Sequence, residues 1–133
     1  MMQFLLNTAE ETEAFGAKLF QALPETCTVF LLGHLGAGKT TLVRGFMRAA
    51  GHTGAVKSPT YNIVEEYKLN NRLFFHFDLY RLVDPEELEW IGMTDYLQEQ
   101  SVCFIEWPEK GEGYLGEPDV ILSLSTTETG RKL

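Results

Sequence analysis

Positive charge is scarce in this 133-residue chain: eleven Lys and Arg stand against nineteen Asp and Glu, giving a formal net charge of −8 and an isoelectric point near 4.8. A free-standing DNA or RNA binder needs a basic surface to displace counterions from phosphates, and docking on anionic lipid needs one as well, so both classes are disfavoured. Only two cysteines occur, Cys27 and Cys103. Both lie in apolar runs and read as small buried hydrophobes of a reducing compartment rather than as a disulfide framework. No run approaches the roughly 18–20 apolar residues that span a membrane. The N-terminus has neither a basic leader nor an apolar stretch long enough for a secretion signal, which points to the cytoplasm. No second His or Cys stands at ligand spacing from His76, so that residue reads as a strand histidine and not a metal ligand. What is present, 44% hydrophobic and 12% aromatic residues, suffices for one core but not two, and predicts a single domain over residues 1–133.

Periodicity supplies the elements. Phe4-Leu5-Leu6 is a short strand. Thr8 and Glu11 form a capping box ahead of Phe15, Leu19, Phe20 and Leu23, predicting a helix from Ala9 to Leu23 that stops at Pro24. Thr28-Val-Phe-Leu-Leu32 is a β-branched and apolar run, as in a strand buried on both faces. A glycine-rich turn, Gly33 to Gly38, opens a helix at Lys39 that carries Leu42, Val43, Phe46 and Met47 on one side and ends at Gly51. Strands Tyr61–Leu69 and Leu73–Tyr80 face each other across Asn70-Asn71, a pair tolerant of the left-handed backbone of tight hairpins. Asp84-Pro85-Glu86-Glu87 starts a helix with Leu88, Trp90 and Ile91, and Met93–Leu97 is a further turn. Val102–Ile105 is a strand ending in Glu106, Lys110–Pro118 is loop, and Val120–Leu124 is the last strand. The fold class is therefore α/β, with a mixed, partly antiparallel sheet.

Gly33-His-Leu-Gly-Ala-Gly-Lys39-Thr40 fits G-x-x-x-x-G-K-[ST] and sits between a buried strand and a helix. Glycines let successive backbone N–H groups curve around a β-phosphate, and the helix N-terminus adds its dipole. Lys39 then reaches the β- and γ-oxygens, and the Thr40 hydroxyl is a ligand for Mg²⁺. Such a site needs an acid at a strand end. Asp78 and Glu106 both qualify, and the reading adopted makes Glu106 the metal ligand and Asp78 the residue that orients the attacking water. Ser58-Pro59-Thr60 occupies the place of a γ-phosphate-sensing loop, where Thr60 would meet Mg²⁺ or phosphate; alternatively it only starts a turn. Trp107 covers the nucleotide or docks a partner, or else forms a lid over the core. Arg72 and Arg81 flank the second hairpin strand, as exposed ion-pair residues or as donors to transferred charge.

Gly33-His-Leu-Gly-Ala-Gly-Lys-Thr-Thr41, Lys57-Ser-Pro-Thr-Tyr61, His76-Phe-Asp-Leu-Tyr-Arg-Leu82, Asp84-Pro-Glu-Glu-Leu88 and Glu106-Trp-Pro108 occur in this order. Together they closely resemble the bacterial TsaE (YjeE) family, from the first helix to the end of the chain. The resemblance implies a P-loop NTPase-like three-layer fold and a small ATPase, with ATP and Mg²⁺ as cofactors, needed for threonylcarbamoyladenosine in tRNAs that read ANN codons. It further implies partnership with the transferase pair TsaB and TsaD, contact with tRNA only through them, and weak basal hydrolysis that partners stimulate. Carried over, Gly33, Gly36, Ala37, Gly38, Lys39, Thr40 and Thr41 bind the phosphates, Thr40 and Glu106 hold Mg²⁺, Asp78 serves hydrolysis and Trp107 lies beside the site. Thr8 and Ala9 approach the nucleotide, and Arg131 matches a late family arginine. Family chains usually continue past Gly130-Arg131 with a closing strand and helix, whereas this sequence stops at Leu133, which predicts a frayed end there.

Other classes fit less well. A small-molecule kinase would want an acceptor pocket and an arginine-rich lid, yet the five arginines are scattered at 44, 48, 72, 81 and 131. A GTPase would want [NT]-K-x-D, which is absent. A nucleotide-gated scaffold without turnover is the third reading. Acidity excludes only an independent grip on RNA and suits docking on a basic partner. Affinity for TsaB–TsaD is therefore expected to fall as salt rises; equal affinity in titrations at low and high ionic strength would refute that electrostatic contribution.

Overall fold

The computed structural model describes residues 5–6, 8–33, 38–56, 63–98, 100–126 and 131–132. In chain order they form β1 (Leu5–Leu6), α1 (Ala9–Ala22), β2 (Cys27–Leu32), α2 (Lys39–Ala49), β3 (Val64–Leu69), β4 (Arg72–Asp78), α3 (Glu87–Trp90), α4 (Met93–Gln98), β5 (Ser101–Glu106), a 3₁₀ turn (Pro108–Gly111), β6 (Val120–Ser123), β7 (Ser125–Thr126) and β8 (Arg131–Lys132). Local chemistry accounts for most boundaries. The Thr8 hydroxyl accepts the Glu11 N–H at 3.1 Å, the first half of the capping box. At the end of α2, Gly51 takes φ +113° while its N–H reaches Arg48 O and that of His52 reaches Met47 O, closing the helix in a Schellman motif. Asn70 and Asn71 hold φ +50° and +64°, the left-handed pair that a two-residue hairpin needs, and the Asn70 side chain donates to Ala50 O.

The main sheet has the order β3-β4-β5-β2-β6. β4, β5, β2 and β6 run parallel, and β3 lies antiparallel on β4 at one edge. A second small sheet joins β1, β8 and β7 in that order. Helices cover both faces of the main sheet, giving three layers. On one face Val29, Leu31, Phe74, Val102 and Phe104 meet Val43, Phe46 and Met47 of α2, with Leu19 and Phe20 of α1 alongside. Phe46 sits edge-on to Phe20, Phe74 and Phe104 at centroid distances of 5.4, 5.6 and 4.8 Å. On the other face Phe75, Phe77, Cys103 and Ile105 meet Leu88 of α3 and Met93 of α4. Each fully buried phenylalanine removes enough apolar surface for about 2 kcal/mol of transfer free energy.

Besides the added 3₁₀ turn and β7, the observed elements differ from expectation at the following points. β5, not β2, is buried throughout: β2 alternates buried with half-buried residues, because α3 and α4 cover mainly β4 and β5 on the second face. The second hairpin strand stops at Asp78 rather than Tyr80. α3 starts at Glu87 and lasts one turn, since the Asp84 carboxylate is taken up by the Glu86 N–H and Gly92 at φ +78° ends the helix; Trp90 is left 87% exposed. Finally, the backbone of Arg131 is not frayed but paired in β8, opposite Leu6 and Thr126.

Both cysteines are free and buried. Burial pushes each thiol above its ordinary range, with the charge of Asp119 adding to the effect at Cys27 and the Ser101 hydroxyl opposing it at Cys103, so neither is a poised nucleophile.

α1 crosses α2 at two glycines. A Cβ on Gly16 would overlap the Leu42 carbonyl oxygen, and one on Gly45 the Glu13 carbonyl oxygen. On an exposed helix Gly→Ala stabilises by about 1 kcal/mol. Here Gly16→Ala is expected to destabilise by about 2 kcal/mol or more, because the helices must separate; a denaturation midpoint equal to or above that of the parent would contradict close helix contact.

Candidate functional site at the carboxyl ends of the parallel strands

In an open parallel sheet, ligands bind beyond the carboxyl ends of the strands. Those ends here carry Gly33 after β2, Asp78 at the end of β4 and Glu106 at the end of β5. Register sets the acids abreast, with Asp78 opposite Glu106 and Glu106 opposite Leu31. Gly38, at φ +101°, turns the chain into α2, and among the described residues no side chain caps the helix, which leaves first-turn N–H groups for another acceptor.

Lys39, the first residue of α2, does not extend into solvent. It is 4% exposed, donates to Gly33 O at 2.5 Å, and lies 3.6 Å from Glu106 Oε1. The Trp107 ring closes over the ammonium, its centroid 4.4 Å away. Trp107 itself adopts φ +57°, a conformation that costs a non-glycine residue about 1 kcal/mol or more, and its indole N–H is buried without a partner among the described residues. Tyr80 lies against Trp107 at 5.0 Å between centroids, and Lys110 stands over Tyr80 at 5.5 Å. Glu106, 3% exposed, meets His76 through its second oxygen, Oε2, at 2.5 Å. Asp78 is half-buried, and its Oδ1 accepts the Tyr80 N–H at 3.0 Å.

Of the residues expected from sequence, Lys39, Glu106 and Trp107 are in mutual contact, and Asp78 stands beside Glu106 in the neighbouring strand. Thr40 and Thr41 follow Lys39 in the first turn of α2, half-buried. Thr8 and Ala9 are exposed at the start of α1, where the Thr8 hydroxyl is engaged in capping. Gly36, Ala37 and Thr60 lie outside the described residues, as does the side chain of Arg131. His76 and Tyr80 join the site without being expected there. Period-two alternation does put His76 on the face of Asp78, but its approach to Glu106 depends on the β4–β5 register, which has no local signature. Arg72 is removed from the site: it lies over Phe20 and Phe74 at the opposite end of β4, about 20 Å of strand from Asp78.

A family model described as "Threonylcarbamoyl adenosine biosynthesis protein TsaE" matches residues 6–133. The chain belongs to the TsaE family. The TsaE protein of Haemophilus influenzae is 48% identical over 124 residues, covering 90% of this chain and 78% of that protein. The Synechocystis TsaE is 40% identical over 113 residues, 82% of this chain and 71% of that one. Among solved structures, Bacillus subtilis YdiB superposes with a TM-score of 0.78 at 29% identity, over 98% of this chain and 80% of the other. The architecture is thus that of a P-loop NTPase, and TsaE membership assigns the chain to tRNA threonylcarbamoyladenosine biosynthesis. Among the described residues no helix is long and apolar enough to cross a membrane.

In this TsaE chain the buried ammonium of Lys39 relies on Glu106 for its counter-charge. Removing one partner of a buried pair leaves the other uncompensated and costs about 3–5 kcal/mol. Glu106→Ala is expected to destabilise by about 3 kcal/mol in urea melts, and by clearly less in a Lys39→Met background. Equal losses in the two backgrounds would show that the groups are not coupled.

Proposed function

We propose that this chain is a P-loop ATPase that binds and hydrolyses Mg-ATP to support threonylcarbamoyl modification of adenosine in ANN-decoding tRNA. It acts with the TsaB–TsaD transferase pair and does not transfer the group itself. The observation that carries this reading is the buried Lys39 at an uncapped helix N-terminus, facing an acid at the end of the adjacent parallel strand. That is the donor set a β,γ-diphosphate needs: backbone N–H groups, a helix dipole and one point charge.

In this reading Lys39 leaves Gly33 O and Glu106 for the β- and γ-oxygens. Glu106 and Thr40 would hold Mg²⁺, which would neutralise charge on the phosphates. Magnesium favours one or two protein oxygens completed by phosphate and water, and among the described residues no group of three metal-binding side chains occurs. Asp78, level with Glu106, orients the attacking water, while Trp107 shields the site. Arg44 and Arg48 are bound to Glu13, and Arg72 is stacked on phenylalanines. With three of the five arginines engaged elsewhere, slow intrinsic hydrolysis raised by a partner is in keeping with the site, since transition-state charge needs a further cation.

The deciding experiment is ATP turnover with and without TsaB–TsaD. Turnover that rises with the pair supports the proposal. Turnover that instead follows a small phosphate acceptor makes the chain a kinase, and tight ATP binding with no turnover in the complex makes it a scaffold. Lys39→Ala is expected to lose ATP binding or hydrolysis, and Glu106→Ala to weaken the dependence on Mg²⁺. A Lys39→Ala protein with parental affinity and turnover would refute the phosphate-loop assignment.

A further inference from the structure

His76 occupies the middle of β4, where a polar ring has little reason to be. It is 0% exposed, on the α2 side of the sheet with Phe74 and Phe104 around it in the strand pair. A buried imidazole without hydrogen bonds costs free energy that a leucine of similar volume would not. One of its nitrogens is satisfied: Nε2 lies 2.5 Å from Glu106 Oε2. The other, Nδ1, has no partner among the described residues. A carboxylate facing a lysine ammonium only accepts, so the proton between the two groups is donated by Nε2 to Glu106.

The geometry divides the two oxygens of Glu106. His76 sits one step back along the strand pair, opposite Phe104, whereas Glu106 pairs with Asp78, so the carboxylate reaches back to the imidazole with Oε2. Oε1 points to Lys39 Nζ at 3.6 Å. Once Lys39 moves to phosphate, Oε1 is released and Oε2 is still held. We propose that His76 is a positioning residue: its Nε2–H fixes the Glu106 carboxylate so that Oε1 alone is presented to the divalent cation and its water shell. This inference rests on the reading of Glu106 as the metal-binding acid. Hydrogen-bond partners of a ligating group commonly contribute 10–100-fold to metal affinity by holding that group in one orientation.

The test uses the full chain, with ADP binding measured by calorimetry across a Mg²⁺ series and again in excess EDTA. His76→Leu keeps the volume and removes the donor. It is expected to raise the half-saturating Mg²⁺ concentration by about 10-fold or more, with ADP affinity in EDTA changed by less than about twofold. His76→Gln places an amide N–H at the same number of bonds from the backbone and is expected to recover most of the loss. A His76→Leu protein with the parental Mg²⁺ titration overturns the inference, as do equal losses in the Leu and Gln variants, which would indicate packing rather than hydrogen-bond donation. Should the variants not fold, the parental protein decides: nitrogen NMR of the His76 ring must show a proton on Nε2, and a ring protonated on Nδ1 with a bare Nε2 refutes the donation. Parental ADP binding that ignores Mg²⁺ altogether overturns the proposed metal site and this inference together, whereas a parental Mg²⁺ dependence that survives in His76→Leu overturns only the latter.

Discussion

One carboxylate holds the site together. Glu106 lies at the end of the most buried strand and is shared between a lysine from the neighbouring helix and a histidine from the neighbouring strand. Burying an ammonium and a carboxylate side by side is not in itself a source of stability, since the desolvation of both can exceed their attraction. Packed apolar residues would do as well for the fold. The arrangement therefore bears on function: it keeps a lysine, an acid and a ring nitrogen fixed at the mouth of the sheet, where the backbone of α2 offers uncapped N–H groups.

The rest of the molecule supplies the rigidity this demands. α2 is pinned from below by Phe46 and Met47 against β2, β4 and β5, and from the side by α1 at the Gly16–Gly45 crossing. Lys39 consequently starts from a backbone position that has little freedom. On the other face α3, α4 and the loop after the 3₁₀ turn cover β4 and β5 with Leu88, Met93 and Leu115, so the strand ends carrying Asp78 and Glu106 are backed by a second apolar layer.

Much of this was legible in the sequence, for identifiable reasons. The Thr8–Glu11 box, the Asn70-Asn71 turn and the Gly51 stop each rest on a local hydrogen bond or backbone angle that residue type dictates. Lys39, Asp78, Glu106 and Trp107 were legible because a glycine-rich turn and two apolar runs ending in acids mark strand ends. Strand order was not, since β2 pairs with β5 and β6, both more than 70 residues away in sequence. β7 and β8 escaped because two residues carry no periodicity; long-range pairing alone defines them. His76 belongs with these. Its residue type said only that a polar ring stood in a strand, and its partner is set by the alignment of β4 on β5.

The closing of Trp107 and Glu106 around Lys39 also sets a condition on any anion that would bind there. The lysine is already paired, so an incoming anion is in competition with an internal one. To displace a full carboxylate charge and the Gly33 carbonyl, a ligand must offer more negative charge, or more acceptors arranged along the helix mouth, than they do together. On the proposed reading, a single carboxylate or chloride ion brings no more charge than the one it would displace, whereas a chain of phosphates would bring several charges within reach of both the lysine and the helix N-terminus. The paired lysine would then favour highly charged ligands over singly charged anions.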